Sequence, residues 1–224
     1  MISAADPRPR GGLELWLLRH GATAWSRNGR HTGYTDLPLL AEGEAEARAL
    51  APRLRGLVFR AVATSPLQRA RRSCELAGLA EGAQVWNDLR EWNYGAYEGI
   101  TTAEIRRSQS DWTIWSHGCP AGEDETAVQR RCERVIARVL ELADQPPGLP
   151  PMEMPGAVCA AAPGDIPCRI ALFAHGHLLR SLAATWLGLG ARGGRLLVLG
   201  TSGIGVLGYE REQRVLLRWN VPVR

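Results

Sequence analysis

Two short apolar runs, each ending in a histidine-glycine motif, constrain this chain most. Residues 13–18 (Leu-Glu-Leu-Trp-Leu-Leu) lead into Arg19-His20-Gly21, and residues 169–174 (Arg-Ile-Ala-Leu-Phe-Ala) lead into His175-Gly176-His177. Both runs read as strands. In an open parallel sheet, ligands bind outside the carboxyl ends of the strands. If the two are neighbours, His20 and His175 project into one crevice although most of the chain separates them. A histidine pair with an adjacent arginine suits the handling of a phosphoryl group.

The rest of the chain fits one α/β domain spanning residues 1–224, with a core over 13–220. A length of 224 residues needs no second domain, and 45% hydrophobic with 22% charged residues is ordinary for a globular protein. All 27 basic residues are arginine, and the net charge is only +4. No dense basic stretch interleaves with aromatics, so nucleic acid is not an expected partner. Five scattered cysteines without a Cys-x-x-Cys pair argue against a zinc ribbon or a disulfide scaffold. No run approaches the ~18 apolar residues of a membrane span, and residues 1–12 lack a signal-peptide core. A cytoplasmic protein is expected, with no membrane partner; a homo-oligomer is compatible with the reading.

Between the two motifs, 21–40 reads as loop, with turn chemistry at Asn28-Gly29, Thr32-Gly33 and Asp36-Leu37-Pro38. A helix is predicted over 42–55, bent or ended near Pro52. A strand follows over 57–64, then Ser65-Pro66 as serine cap and first-turn proline of a helix running to Leu79. Residues 85–89 make a weak strand, and 102–107 and 111–115 short helices. Val128, Cys132, Val135, Ile136, Val139 and Leu140 share one helical face. Residues 145–167, with seven prolines, form a predicted surface insertion. A helix over 177–187 and strands near 204–209 and 215–219 complete the chain. Alternating strands and helices predict a three-layer α/β/α sandwich with a mostly parallel central sheet.

Several residues carry candidate chemistry. Gly21, at a strand end, would let backbone N–H groups approach an oxyanion. Arg69 lies about one turn into the Ser65-Pro66 helix; if its strand neighbours the first, its guanidinium fork faces the crevice and can hold two phosphate oxygens. Arg71 and Arg72 turn away to solvent. Glu91 precedes an aromatic, glycine-containing loop, where burial could raise its pKa and suit it to general acid catalysis. Glu98 competes for that role, and spacing does not separate the two. His175-Gly176-His177 has the His-x-His form of some zinc sites, but Leu178 and Leu179 follow where acidic ligands are needed, so no metal is expected. The glycines of 200–205 lack a phosphate loop's lysine and read as a tight lead-in to a strand.

Four motifs in order resemble the histidine phosphatase superfamily, in the branch with the cofactor-dependent phosphoglycerate mutases: Leu-Arg-His-Gly-Ala-Thr-Ala-Trp at 18–25, Ser-Pro-Leu-Gln-Arg-Ala at 65–70, Leu-Arg-Glu-Trp-Asn-Tyr-Gly at 89–95 and Ala-His-Gly-His at 174–177. The resemblance implies a phosphoglycerate mutase-like fold. It implies His20 as nucleophile, Glu91 as proton donor, and Arg19, Arg69 and His175 as the phosphate pocket. Gly21, Thr23, Thr32, Gly33, Trp92, Tyr94 and Gly176 become candidate substrate-binding positions. The implied reaction is phosphomonoester hydrolysis of a small phosphorylated metabolite through a phosphohistidine, without metal or other cofactor. Ser26 stands where mutases usually have asparagine, and only about two dozen residues separate Gly95 from Pro120, which favours a phosphatase over a mutase. Residues 25–26, 29–33, 35–39, 173–177 and 203–207 are similar to the sedoheptulose-bisphosphatase group. Residues 112–123 resemble a bacterial broad-specificity acid phosphatase. A phosphoglycerate mutase and a non-catalytic phosphate-binding adaptor remain the alternatives.

Overall fold

The computed structural model describes residues 12–145 and 167–223. Apart from its two end residues, the predicted 145–167 insertion lies outside the described residues, as does Cys159.

In chain order the elements are β1 (Leu13–Arg19), α1 (Ala24–Asn28), α2 (Ala41–Arg48), α3 (Ala51–Leu54), β2 (Ala61–Thr64), α4 (Gln68–Leu76), β3 (Gln84–Val85), α5 (Thr102–Ile105), α6 (Ile114–His117), α7 (Glu125–Asp144), β4 (Cys168–Ala174), α8 (Gly176–Trp186), β5 (Ile204–Glu210) and β6 (Gln213–Val221). The six strands form one sheet in the order β3-β2-β4-β1-β5-β6. β3, β2, β4 and β1 run parallel, β5 is antiparallel to β1, and β6 is antiparallel to β5.

Period-two alternation sorts the strand side chains into two layers. Leu13, Leu15 and Leu17 of β1, with Ile170, Leu172 and Ala174 of β4, face α7 and α8. Trp16 and Leu18, with Ala171 and Phe173, face Leu50, Leu54 and Cys74 on the opposite side. Helices on both faces make the predicted α/β/α sandwich. Leu15, Leu17, Ile170 and Leu172 are fully buried, each stabilising by roughly 1.5–3 kcal/mol relative to exposure. α7 buries the expected stripe of Val128, Cys132, Val135, Ile136 and Val139.

Five expectations need correction. The helix predicted over 42–55 is two helices, α2 and α3, broken at Ala49-Leu50; Pro52 sits at the start of α3, where its missing N–H is harmless. The strand over 57–64 is only β2, because Leu57 and Phe59 pack beneath the sheet instead of pairing. Ser65-Pro66 does not cap α4, which starts at Gln68 after Leu67. The 85–89 strand shrinks to Gln84–Val85 followed by a 3-10 turn at Asn87–Leu89. The loop 21–40 contains α1, whose start is closed by a reciprocal Thr23–Ser26 cap.

Candidate active site

β1 and β4 pair in parallel from Leu13↔Cys168 to Arg19↔Ala174. The next residue on each strand is a histidine, so the register itself sets His20 beside His175. The His20 N–H bonds the Ala174 carbonyl at 3.0 Å, and the ring centroids lie 5.1 Å apart.

His20 is 4% exposed. Its Nδ1 lies 2.7 Å from the Gly21 carbonyl. A carbonyl only accepts, so Nδ1 carries the proton and the neutral ring keeps its Nε2 lone pair free. Burial pushes the His20 pKa well below the usual histidine value, and the Arg69 and Arg19 charges push the same way. At neutral pH the ring is therefore uncharged, with no proton to lose from Nε2.

His175 is oriented from both nitrogens. Arg69 Nε donates to its Nδ1 at 3.1 Å, which leaves the proton on Nε2, donated to Ser65 Oγ at 2.7 Å. The Ser65 hydroxyl thus serves His175, and it also accepts the Leu67 N–H at 3.3 Å ahead of α4. Burial, followed by the Arg69 charge, lowers the His175 pKa well below its ordinary value.

Arg69 reaches the crevice by a different route from the one expected. Its strand, β2, neighbours β4 and not β1. The side chain is fully buried. Its terminal nitrogens donate to the carbonyls of Thr35 at 2.9 Å, Gly33 at 2.7 Å and Thr32 at 3.3 Å. Arg69 therefore ties the 32–35 loop to the histidine pair. Burial lowers its pKa, with Glu91 the largest opposing charge. Arg71 is exposed and Arg72 pairs with Glu44 and Glu75 on the surface, as expected.

Arg19 donates through Nη1 to the Leu199 carbonyl at 2.6 Å, while its Nε is buried without a hydrogen-bond partner. Gly176 makes room for it, since a Cβ there would stand 3.2 Å from the guanidinium carbon. Gly21 serves a different purpose from the expected one. Its N–H donates to Ser73 Oγ at 3.1 Å, and a Cβ would collide with the Gly43 carbonyl oxygen at 2.1 Å.

Glu91, 5% exposed, crowns the start of α8. Its Oε2 accepts the His177 N–H at 3.0 Å, and its Oε1 accepts the N–H groups of Leu178 at 2.8 Å and Trp92 at 2.9 Å. α8 has no cap of its own, so this carboxylate satisfies helix-start donors that would otherwise be orphaned. Glu98 is placed elsewhere, accepting the Tyr34 N–H at 2.7 Å, so it braces the 33–35 loop.

The remaining candidates are distributed unevenly. Tyr94 is buried, with its hydroxyl 2.5 Å from His177 Nδ1. Thr32 and Gly33 enter through their carbonyls, held by Arg69. Thr23 spends its hydroxyl on the α1 cap. Trp92, a candidate substrate-binding position, is fully buried, with its indole N–H on the Glu123 carbonyl and its ring edge-on to Trp115, so it packs in the core. His175 and His177 address different partners and do not converge as metal ligands do. Among the described residues no group of three or more His, Cys, Asp or Glu side chains could hold a metal ion.

Sequence reasoning missed an aromatic box beside Glu91. The His31 ring lies 4.7 Å from Tyr94 and 5.3 Å from Trp112, and His177 lies 5.1 Å from Trp115. Burial takes the His31 pKa down to about 4 and that of His177 well below its usual value. It also missed Glu123 and Arg131, which form an ion pair at 2.6 Å under the Glu91 segment, with Arg131 buried and Glu123 partly exposed. One signal was present: Arg131 falls on the α7 stripe between Val128 and Val135, an apolar face on which a charge needs a buried partner.

Comparison with known proteins places this geometry. The model of the histidine phosphatase superfamily (branch 1) matches residues 15–148 and 155–222. An acid phosphatase of Mycobacterium tuberculosis is 38% identical over 206 residues, covering 90% of this chain and 89% of its own. The sedoheptulose 1,7-bisphosphatase of Saccharomyces cerevisiae is 36% identical over 203 residues, with 79% and 68% covered. The solved structure of the open reading frame Rv3214 product from Mycobacterium tuberculosis superposes with a TM-score of 0.81 at 34% identity, over 95% of this chain and 99% of that one. The chain belongs to the histidine phosphatase superfamily.

Proposed function

We propose that this histidine phosphatase hydrolyses phosphomonoesters of small metabolites through a phosphohistidine on His20, with no metal taking part. One observation carries the reading: a neutral His20 with its Nε2 lone pair free stands beside the unpartnered Nε of Arg19. That pairs a nucleophile with a donor for the oxygens of the phosphoryl group.

In the first step Nε2 bonds to phosphorus as the bond to the ester oxygen breaks. The electron pair leaves with that oxygen, and Glu91, once it carries a proton, passes that proton to it. In the second step water attacks phosphorus, Glu91 as carboxylate takes the water proton, and the bond to His20 breaks. The Arg19 and Arg69 charges offset charge on the equatorial oxygens, the main help open to phosphoryl transfer. His175, fixed by Ser65 and Arg69, completes that wall. His31 and His177, the partly exposed rings beside Glu91, face the leaving alcohol, backed by the buried Tyr94 and Trp112. Two relatives bear the names acid phosphatase and sedoheptulose 1,7-bisphosphatase, which supports a phosphorylated sugar as the substrate class.

Phosphate release in EDTA from sedoheptulose 1,7-bisphosphate and p-nitrophenyl phosphate, side by side, tests this. Turnover of either is expected, with a strong preference for the sugar bisphosphate assigning a specific metabolic role and comparable rates a broad one. Loss of activity in EDTA, or no turnover of either, would overturn it.

A further inference from the structure

The segment 90–94 that carries Glu91 is neither helix nor strand. Its backbone groups still need partners once buried, and one ion pair supplies many of them. Arg131, on α7, uses all five guanidinium N–H groups: Nε to Glu123 Oε1 at 2.9 Å, Nη1 to the carbonyls of Asp88 at 3.1 Å and Arg90 at 2.5 Å, and Nη2 to the Glu91 carbonyl at 3.3 Å and Glu123 Oε2 at 2.6 Å. Glu123 in turn accepts the Asn93 N–H at 2.8 Å through Oε2 and the Trp92 indole N–H at 2.9 Å through its carbonyl. The Glu91 backbone is thus gripped on both sides by one pair, while its carboxylate is held by α8.

We propose that Arg131 and Glu123 form a clasp that sets the position of Glu91, making them positioning residues for proton transfer to the leaving alcohol. They act through Glu91 and touch no reacting atom. A lysine cannot replace Arg131, since an ammonium has three donors and no planar fork. A buried ion pair is a poor device for stability alone, because its desolvation cost rivals its attraction. Its return here is geometric, as an irregular segment is fixed where a small displacement matters to proton transfer. The inference rests on the acid role of Glu91 in the proposed function.

The test compares kcat and KM of the full chain and its Glu91→Gln, Glu123→Gln, Arg131→Lys and Arg134→Ala variants on two esters. One is p-nitrophenyl phosphate, whose leaving group needs little protonation; the other is the alkyl phosphate, among sugar phosphates, that the wild type turns over fastest. Glu91→Gln should lose about a hundredfold or more on the alkyl ester, the scale of general acid catalysis, and far less on the aryl ester. Glu123→Gln and Arg131→Lys should lose about ten- to a hundredfold in kcat on the alkyl ester, with KM within about threefold and the aryl ester nearly unchanged. Arg134→Ala, on the same helix as Arg131, breaks only an exposed pair with Asp88 and should change neither. If Arg131→Lys does not fold, Glu123→Gln decides, since it keeps an acceptor for the Asn93 N–H. Equal losses on both esters, or none, would overturn the clasp as a positioning device. Failure of Glu91→Gln itself to discriminate would overturn the acid assignment first, and this inference with it.

Discussion

The two sides of the crevice are built by different means. On one side, His20 and His175 follow directly from two paired strands, so the main-chain ladder places them and buried leucines and isoleucines behind them hold the ladder. On the other, Glu91 sits in irregular chain whose position depends on side chains far away in sequence: Arg131, Glu123 and the start of α8. A strand-end residue tolerates loss of a neighbouring side chain because the backbone still sets its position. A residue in side-chain-held chain does not. The first arrangement suits a nucleophile that must lie in line with phosphorus. The second places an acid where no strand end reaches.

The largest expected effect removes the proposed nucleophile. His20→Ala should lower kcat by about a thousandfold or more on aryl and alkyl esters alike, measured by phosphate release. A loss confined to one ester would erase the contrast between the two sides. Arg69→Ala should follow, costing on the order of a hundredfold or more, since it removes transition-state charge, the Nδ1 partner of His175 and the anchor of the 32–35 loop. Arg69→Lys should recover little, because a three-donor ammonium without a planar fork cannot reach Thr32, Gly33, Thr35 and His175 together. Ser65→Ala should cost only about tenfold, because the ladder still places His175 after its Nε2 partner is gone. A loss as large as that of Arg69→Ala would mean that side chains, and not register, hold that wall.

Acid should weaken both sides together. His20, His31, His175 and His177 all have pKa values lowered by burial. Below about pH 6.5 the unfolded chain takes up protons on these rings that the folded chain refuses, so the unfolded state binds more protons and stability falls as pH falls. The stability is fully present above pH 6.5 and is lost as pH falls below it, the His31 contribution through the window down to about 4. A melting temperature that declines steadily across that window is expected; a flat profile would show that these rings are not buried neutral. The smallest effect is that of Arg72→Ala, which breaks only exposed pairs with Glu44 and Glu75 and should leave activity and melting temperature unchanged.

The same contrast explains what could be read in advance. Strands β1 and β4, helix α7 and helix α8 were legible because apolar spacing reports directly on burial. The histidine pair was legible because it sits where such strands end. The 42–55 helix was read as one piece because alanine and glutamate carry no signal for the break at Ala49-Leu50. α1 was missed because Thr23 and Ser26 close it with a short reciprocal cap inside turn-rich sequence. Trp92 reads as a substrate-binding position in sequence because an aromatic next to a candidate acid looks alike in core and cleft. The Glu91 contacts to α8 were invisible, since a carboxylate capping a helix more than eighty residues away leaves no local pattern. Arg131 was the exception, a charge on an apolar stripe that asked for a partner.

The most direct test of the account is to quench the enzyme during turnover, before phosphate release is complete, and locate the trapped phosphoryl group by peptide mass mapping. An acid-labile, base-stable phosphoryl group on the peptide bearing His20, accumulating further in Glu91→Gln with an aryl ester and absent from His20→Ala, is the predicted result. Phosphorylation of another residue, or steady turnover by His20→Ala, would contradict it.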